Sequence, residues 1–195
     1  MNRHHQHTSD EQLLPLACRG DEPAFRELYD RYAARMLAFF RRMLGNDGEK
    51  ARDFLQDLFM KVIDSGPNFD PRHRFRAWIY TIASNMCKNE YRRMAVRRDT
   101  LARQDWDSIG DQDSGNPEQR LDAARFREAV RRCLQTLDPA HRATFVLRYQ
   151  EQMSISEISA ILDCPEGTTK SRLFYLNKKL SPYLQAFTPS GKEAI

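Results

Sequence analysis

The sequence predicts an all-α fold: two helical domains joined by an acidic, flexible linker. Three observations carry this. Apolar residues recur at three-and-four spacing through most of the chain, with no convincing period-two run. Gly, Pro, Asp and Asn fall where those runs stop and restart. Residues 99–118 break the pattern, with Asp99, Asp105, Asp107, Asp111, Asp113 and Glu118 against Arg103 alone, interspersed with Gly110, Gly115 and Pro117. So acidic and apolar-poor a stretch buries too little surface to offset its ordering entropy, which makes it a mobile tether. The domains are therefore expected at 1–98 and 119–195, folding separately and taking variable relative positions in the free chain. At 195 residues there is length enough for two small cores.

Each element follows in order. Thr8, Ser9 and Asp10 cap a short helix through Cys18 that closes at Gly20. Asp21, Glu22 and Pro23 open a long one, whose apolar positions Phe25, Leu28, Tyr32, Met36, Phe39, Phe40 and Met43 run to Gly45-Asn46. Ala51, Phe54, Leu55, Leu58, Phe59, Val62 and Ile63 make the next, stopped by Ser65-Gly66-Pro67. A loop then leads to a third run with Phe75, Trp78, Ile79, Ile82, Ala83 and Met86. Three such faces close one helical bundle. In the second domain, Leu121, Val130, Leu134 and Leu137 share one helix, and Asp138-Pro139 starts another through Phe145, Leu147 and Tyr149.

Residues 154–180 are the most informative. Ser154 and Glu157 match a capping box. Ile158, Ile161 and Leu162 share a face, and the tight turn at Asp163-Cys164 calls for a left-handed residue, which Asp tolerates. Pro165 suits the first position of a second helix carrying Lys170, Arg172, Lys178 and Lys179 against Glu166, with Leu173, Leu176 and Leu180 facing inward. A short helix, a tight turn and a basic second helix form the geometry that seats side chains in a DNA major groove. A helical hairpin with a solvated basic face shares the pattern.

Charge is uneven elsewhere too. The net charge is only +4, so placement matters more than the total. Residues 72–98 hold Arg72, Arg74, Arg76, Lys88, Arg92, Arg93, Arg97 and Arg98 with Glu90 as the lone acid. Basic side chains track phosphates and aromatic faces stack on unpaired bases. Phe75 and Trp78 sit in the apolar stripe and belong to the core; Tyr80 and Tyr91 lie off it and are freer. The preceding helix places Asp53, Gln56, Asp57 and Lys61 beside its seam, as plain solvated surface or as a docking face.

Several classes are set aside. No apolar run approaches the roughly 20 residues of a membrane span, and the polar N-terminus lacks a signal-peptide core, so a cytoplasmic protein without membrane insertion is expected. Cys18, Cys87, Cys133 and Cys164 have no metal or disulfide spacing, and His4, His5 and His7 fit a disordered polar terminus. No Gly-rich phosphate loop and no nucleophile with a paired base appears, so neither a catalytic residue, a metal nor a cofactor is expected, and the chain is not read as an enzyme.

The segments ARDFLQDLFMKVI (51–63) and FRAWIYTIASNMCKNEYRR (75–93) resemble region 2 of bacterial RNA polymerase sigma factors. Residues 134–180 resemble region 4, and with only these two regions the chain is similar to the extracytoplasmic-function (ECF) group. The resemblance implies a chain that binds core RNA polymerase and promoter DNA and directs initiation, with an anti-sigma factor as a further partner. Asp53, Gln56, Asp57 and Phe59 would dock on the polymerase's largest subunit. Asn68, Phe69 and Arg74, in the loop that captures a flipped base, would serve −10 recognition and melting with Arg76, Trp78, Tyr80, Asn85, Lys88, Tyr91, Arg92 and Arg93. Thr168, Lys170, Ser171, Arg172, Tyr175, Lys178 and Lys179 would contact the −35 element. The acidic linker would thread toward the active channel. Three positions depart from the family pattern: Thr169 stands where Val is usual, Asp163 where Gly is common, and Ser159 where Ala is usual. Ile79 follows Trp78 where housekeeping members carry a second Trp. A stand-alone helix-turn-helix regulator is the alternative, but it leaves the first domain without a role.

Overall fold

The computed structural model describes residues 7–98, 130 and 132–185, and every regular element among them is helical. The expected linker, 99–118, lies outside the described residues.

Helix α1 (Asp10–Cys18) starts at Ser9, whose side chain and that of Gln12 form a reciprocal capping box. Gly20 takes φ +90°, turning the chain so that Asp21 can cap α2 (Glu22–Met43) through the Ala24 amide at 2.9 Å. Gly45 and Asn46 are both left-handed, with φ of 73° and 70°, and Asp47 caps α3 (Gly48–Ser65). A single 3₁₀ turn, Gly66–Asn68, leads to the loop before α4 (Phe75–Arg98). The start of α4 is capped from a distance: the Phe75 amide donates to Glu11 Oε1 of α1 at 2.9 Å. Leu13, Leu14, Leu28, Met36, Phe39, Phe40, Leu58, Phe75 and Ile79 are fully buried between these helices. Each such side chain stabilises the bundle by about 1.5–3 kcal/mol.

The second body begins with helical residues 132–135 and continues with α5 (Pro139–Phe145), capped by Asp138 on the Ala140 and His141 amides. Where the sequence extends this helix to Tyr149, the structure widens it into a π-helical turn, Val146–Gln150. Val146 and Leu147 stay buried through that turn. Two helices follow, α6 (Ile155–Ile161) and α7 (Glu166–Gln185). The capping box at Ser154 and Glu157 is present, and Asp163 is left-handed with φ 49°, as the turn demanded. Pro165 sits one residue earlier than expected: it precedes α7, its carbonyl accepting from the Thr168 and Thr169 amides.

The two bodies are in contact in this structure. Helix α5 packs on α2 and α4, and α6 packs on α4. At the centre is Arg142 of α5, 9% exposed. Within its own body its guanidinium donates to the carbonyls of Leu134, Gln135 and Leu137; across the interface it donates to the Met43 carbonyl at 3.1 Å and the Tyr91 hydroxyl at 3.2 Å. Every N–H of the fork is thereby used. A second contact lies nearby, where Arg76 of α4 donates to the Glu151 carbonyl and pairs with the Glu151 carboxylate at 3.6 Å.

Candidate nucleic-acid and polymerase interface

Three surfaces carry the residues singled out in the sequence. On α3, Asp53, Gln56 and Asp57 are exposed one turn apart, and Met60 extends the same face as an exposed apolar residue. Phe59 does not join them. It is 4% exposed and packs against Phe25 and Tyr29, so it supports the face from below.

Helix α4 presents three faces. Phe75, Ile79 and Ala83 enter the bundle core. Trp78, Asn85, Lys88 and Arg92 follow one another at helical spacing on a second face, with Asn85, Lys88, Arg92 and also Arg93 exposed. Trp78 is half-buried beside Phe69 and Phe75, at ring separations of 5.0 and 5.8 Å, so Phe69 and Trp78 form one aromatic ledge at the loop. Asn68 and Arg74 are exposed next to it, and Arg72 is held by Asp70 at 2.6 Å.

The third face holds Arg76, Tyr80, Ser84, Cys87 and Tyr91, and it corrects the sequence reading of the tyrosines. Tyr80 is fully buried, edge-on to Phe39 at 5.5 Å. Tyr91 is half-buried, its hydroxyl donating to the Met43 carbonyl and accepting from Arg142. Neither ring is available to a base in this structure. The reason is that α4 is covered from two sides, by α2 and by the second body, so its buried arc is wider than the apolar stripe. Burial pushes the Tyr91 phenol up to about 12 and the Cys87 thiol also up to about 12. Burial first, and then the neighbouring Glu151 carboxylate, push the Tyr80 phenol well above its usual range. The Tyr80 hydroxyl and the Arg76 Nε, both buried, make no hydrogen bond of ordinary geometry.

On α7, Lys170, Ser171, Tyr175 and Lys178 are exposed, while Thr168, Arg172 and Lys179 are half-exposed. Lys170 lies 3.9 Å from Glu166, and Ser171 Oγ donates to the Thr168 carbonyl. The Arg172 guanidinium leans back on Cys164 Sγ at 3.6 Å, inside the turn. Tyr175 packs against the His141 ring at 4.8 Å, with the Lys179 ammonium 5.8 Å from its centroid. Phe174, 74% exposed, is the residue that the sequence reading passed over. It stands one turn from Lys170 and one from Lys178, and that spacing was visible in the sequence.

Two of the departures from the family pattern, Ser159 and Thr169, meet in space. Thr169 is fully buried, and its Oγ1 lies 2.8 Å from Ser159 Oγ, joining α7 to α6 through a hydroxyl pair. Cys164 Sγ lies 3.5 Å from the same Thr169 oxygen. Two hydroxyls thus stand where the family pattern has two apolar side chains, one donating to the other.

A polar face on one helix, a basic face beside an aromatic ledge on another, and a helix-turn-helix in a second body are together the layout of a DNA-binding transcription factor. Comparison with known proteins agrees. Residues 28–97 match the Sigma-70 region 2 family and residues 127–175 match Sigma-70, region 4. The chain belongs to the sigma-70 family and is a sigma factor of the ECF type. It is 30% identical to the RNA polymerase sigma-H factor of Pseudomonas aeruginosa over 90% of this chain and 94% of that one. It is 29% identical to the ECF RNA polymerase sigma-E factor of Escherichia coli K12, over 91% of this chain and 95% of that one. Among solved structures, CnrH in complex with the cytosolic domain of CnrY is similar, with a TM-score of 0.64 and 28% identity over 92% of this chain and 99% of that one. The fold is shared with RpoE from Bartonella quintana, solved with the anti-sigma factor NepR, at a TM-score of 0.64 and 22% identity over 83% of this chain and 96% of that one. Among the described residues, no helix is long and apolar enough to cross a membrane.

Proposed function

We propose that this sigma factor divides its work among the three surfaces as follows. Asp53, Gln56 and Asp57 dock α3 on core RNA polymerase. Asn68, Phe69, Arg74, Trp78, Asn85, Lys88, Arg92 and Arg93 engage the −10 element and the separated strand, with Arg76, Tyr80 and Tyr91 behind them. Thr168, Lys170, Ser171, Arg172, Tyr175, Lys178 and Lys179 engage the −35 element, and Phe174 adds an apolar contact. The chain lends specificity to the polymerase in the cytoplasm and performs no catalysis itself. By likeness to relatives solved with a partner bound, its control falls to an anti-sigma factor.

The observation that carries this reading is the separation of chemistry: an exposed acid-and-amide face on α3, and separate basic faces on α4 and α7. Like-charged DNA is kept from the first and drawn to the others. The test is run-off transcription with core polymerase, alongside direct core binding. Asp57→Arg should cut core affinity by tenfold or more, about 1.4 kcal/mol, with helicity unchanged. Wild-type affinity in this variant would remove α3 from the docking role. Arg172→Ala should lose about 1–3 kcal/mol on a cognate −35 duplex and far less on scrambled DNA. Equal losses on both would make Arg172 a phosphate clamp.

A further inference from the structure

The geometry points to Cys164 as the positioning residue for Arg172: its sulfur turns the guanidinium, and the Ser159–Thr169 pair holds the thiol in the orientation that does so. This rests on Arg172 contacting the −35 element, as proposed above. Cys164 is itself placed by the backbone. Helix α6 ends in a Schellman motif, in which the Cys164 amide donates to the Ser159 carbonyl at 3.0 Å and the Asp163 amide to the Ala160 carbonyl at 3.4 Å. Asp163 supplies the left-handed residue that this motif needs. Pro165 follows and keeps Cys164 out of helical backbone. With the chain pinned on both sides, the half-buried Cys164 sulfur faces α7, 3.5 Å from Thr169 Oγ1 and 3.6 Å from Arg172 Nη1.

The direction of these hydrogen bonds follows from donor chemistry. A guanidinium only donates, so the sulfur accepts from Nη1. The thiol proton is then left for Thr169 Oγ1, and the Thr169 hydroxyl proton for Ser159 Oγ at 2.8 Å. Thr169 and Ser159 are buried, so each hydroxyl takes its partner from the protein. Sulfur is a weak acceptor, strong enough to favour one placement of the guanidinium and too weak to compete with a base for it. With Nη1 given to sulfur, Nε and Nη2 remain, and among the described residues neither has a hydrogen-bond partner. These two N–H groups lie parallel on one edge and match guanine O6 and N7. Holding a long side chain in its reading placement lowers the ordering cost of binding, and it favours the base that uses both donors. Cys164 thus sets specificity through Arg172, from behind the reading face.

The experiment uses holoenzyme assembled from the full chain and core RNA polymerase. It selects promoter DNA randomised across the −35 element and reads the bases enriched at each position, with thermal unfolding of every chain alongside. Arg172→Ala marks the position that Arg172 reads, by losing its guanine preference. Cys164→Ala should lower the preference at that same position several-fold and leave the others unchanged. Cys164→Ser, whose oxygen accepts from Nη1 and donates to Thr169, should restore most of it. Ser159→Ala with Thr169→Val removes both hydroxyls and should lower the same preference by less, at near wild-type stability. Should Cys164→Ala unfold, Cys164→Val fills the space without an acceptor and carries the comparison. Full guanine preference in Cys164→Ala overturns the positioning role. An equal loss at every position, or no recovery in Cys164→Ser, also overturns it, because either marks a loosened turn. Full preference in the double variant removes the hydroxyl pair from the relay. Arg172→Ala without effect at any base overturns the base-reading role of Arg172, a failure distinct from an intact preference in Cys164→Ala.

Discussion

Ser159 and Thr169 show what a single atom decides in the helix-turn-helix. Their hydroxyls lie 2.8 Å apart at a buried contact between the two helices. Ser159→Ala leaves Thr169 with only a thiol neighbour, and Thr169→Val strands Ser159; each should cost about 1–3 kcal/mol of stability. The double variant restores two apolar side chains in contact and should come out near wild type, so thermal or denaturant unfolding of the four chains should show a coupling of about 1 kcal/mol or more. Strictly additive losses would mean the two hydroxyls are satisfied elsewhere. The sequence exposed both positions as departures from the family pattern but could not show that they touch, because residues ten apart on separate helices share no local periodicity. The same limit hid Arg142. It reads as one more basic residue on a capped helix, and only its placement between two bodies makes it central.

At the scale of elements, most of the chain was legible. Ser9, Asp21, Asp138 and Ser154 each cap the helix that follows, and Asp163 takes the left-handed turn that the hairpin required. These signals are local, so sequence carries them. The cap of α4 was not legible, since it comes from Glu11, in another helix. Nor was the burial of Tyr80 and Tyr91, because periodicity reports one apolar stripe and α4 is covered on two sides. Gly66 offers a test of how tightly the loop before α4 is anchored. A Cβ built there would lie 2.3 Å from Cys18 Sγ and 3.1 Å from Leu14 Cδ1. Gly66→Ala should therefore destabilise by about 1–3 kcal/mol, and adding Cys18→Ala should return part of the loss. Unfolding midpoints check both. A harmless Gly66→Ala would show that α1 shifts freely over the turn.

For the whole molecule, the docking proposed for α3 and the contact between the two bodies rest on different residues. Helix α3 packs on α1, α2 and α4 and turns Asp53, Gln56 and Asp57 to solvent, while Arg142 and Glu151 of the second body meet the first at Met43, Tyr91 and Arg76. Effects of Asp57→Arg and Glu151→Arg on core binding should then add, within about 0.5 kcal/mol, in the double variant. A marked departure from additivity, measured by titration against core polymerase, would place the two surfaces in one coupled site. The contact between the halves, by contrast, was not legible in the sequence. An acidic stretch between two periodic regions says that they are tethered, but says nothing of whether their surfaces fit.

The hydroxyl pair also constrains how promoter preference could be moved from one relative to another. Grafting only the reading helix, with Thr169, into a relative that keeps Ala at the position of Ser159 would bury a hydroxyl without its oxygen partner. Grafting the Val-bearing helix of such a relative into this chain would strand Ser159 instead. The unit of exchange is therefore the helix pair with its turn, residues 154–180, and new specificities for this scaffold should be sought by swapping that whole segment.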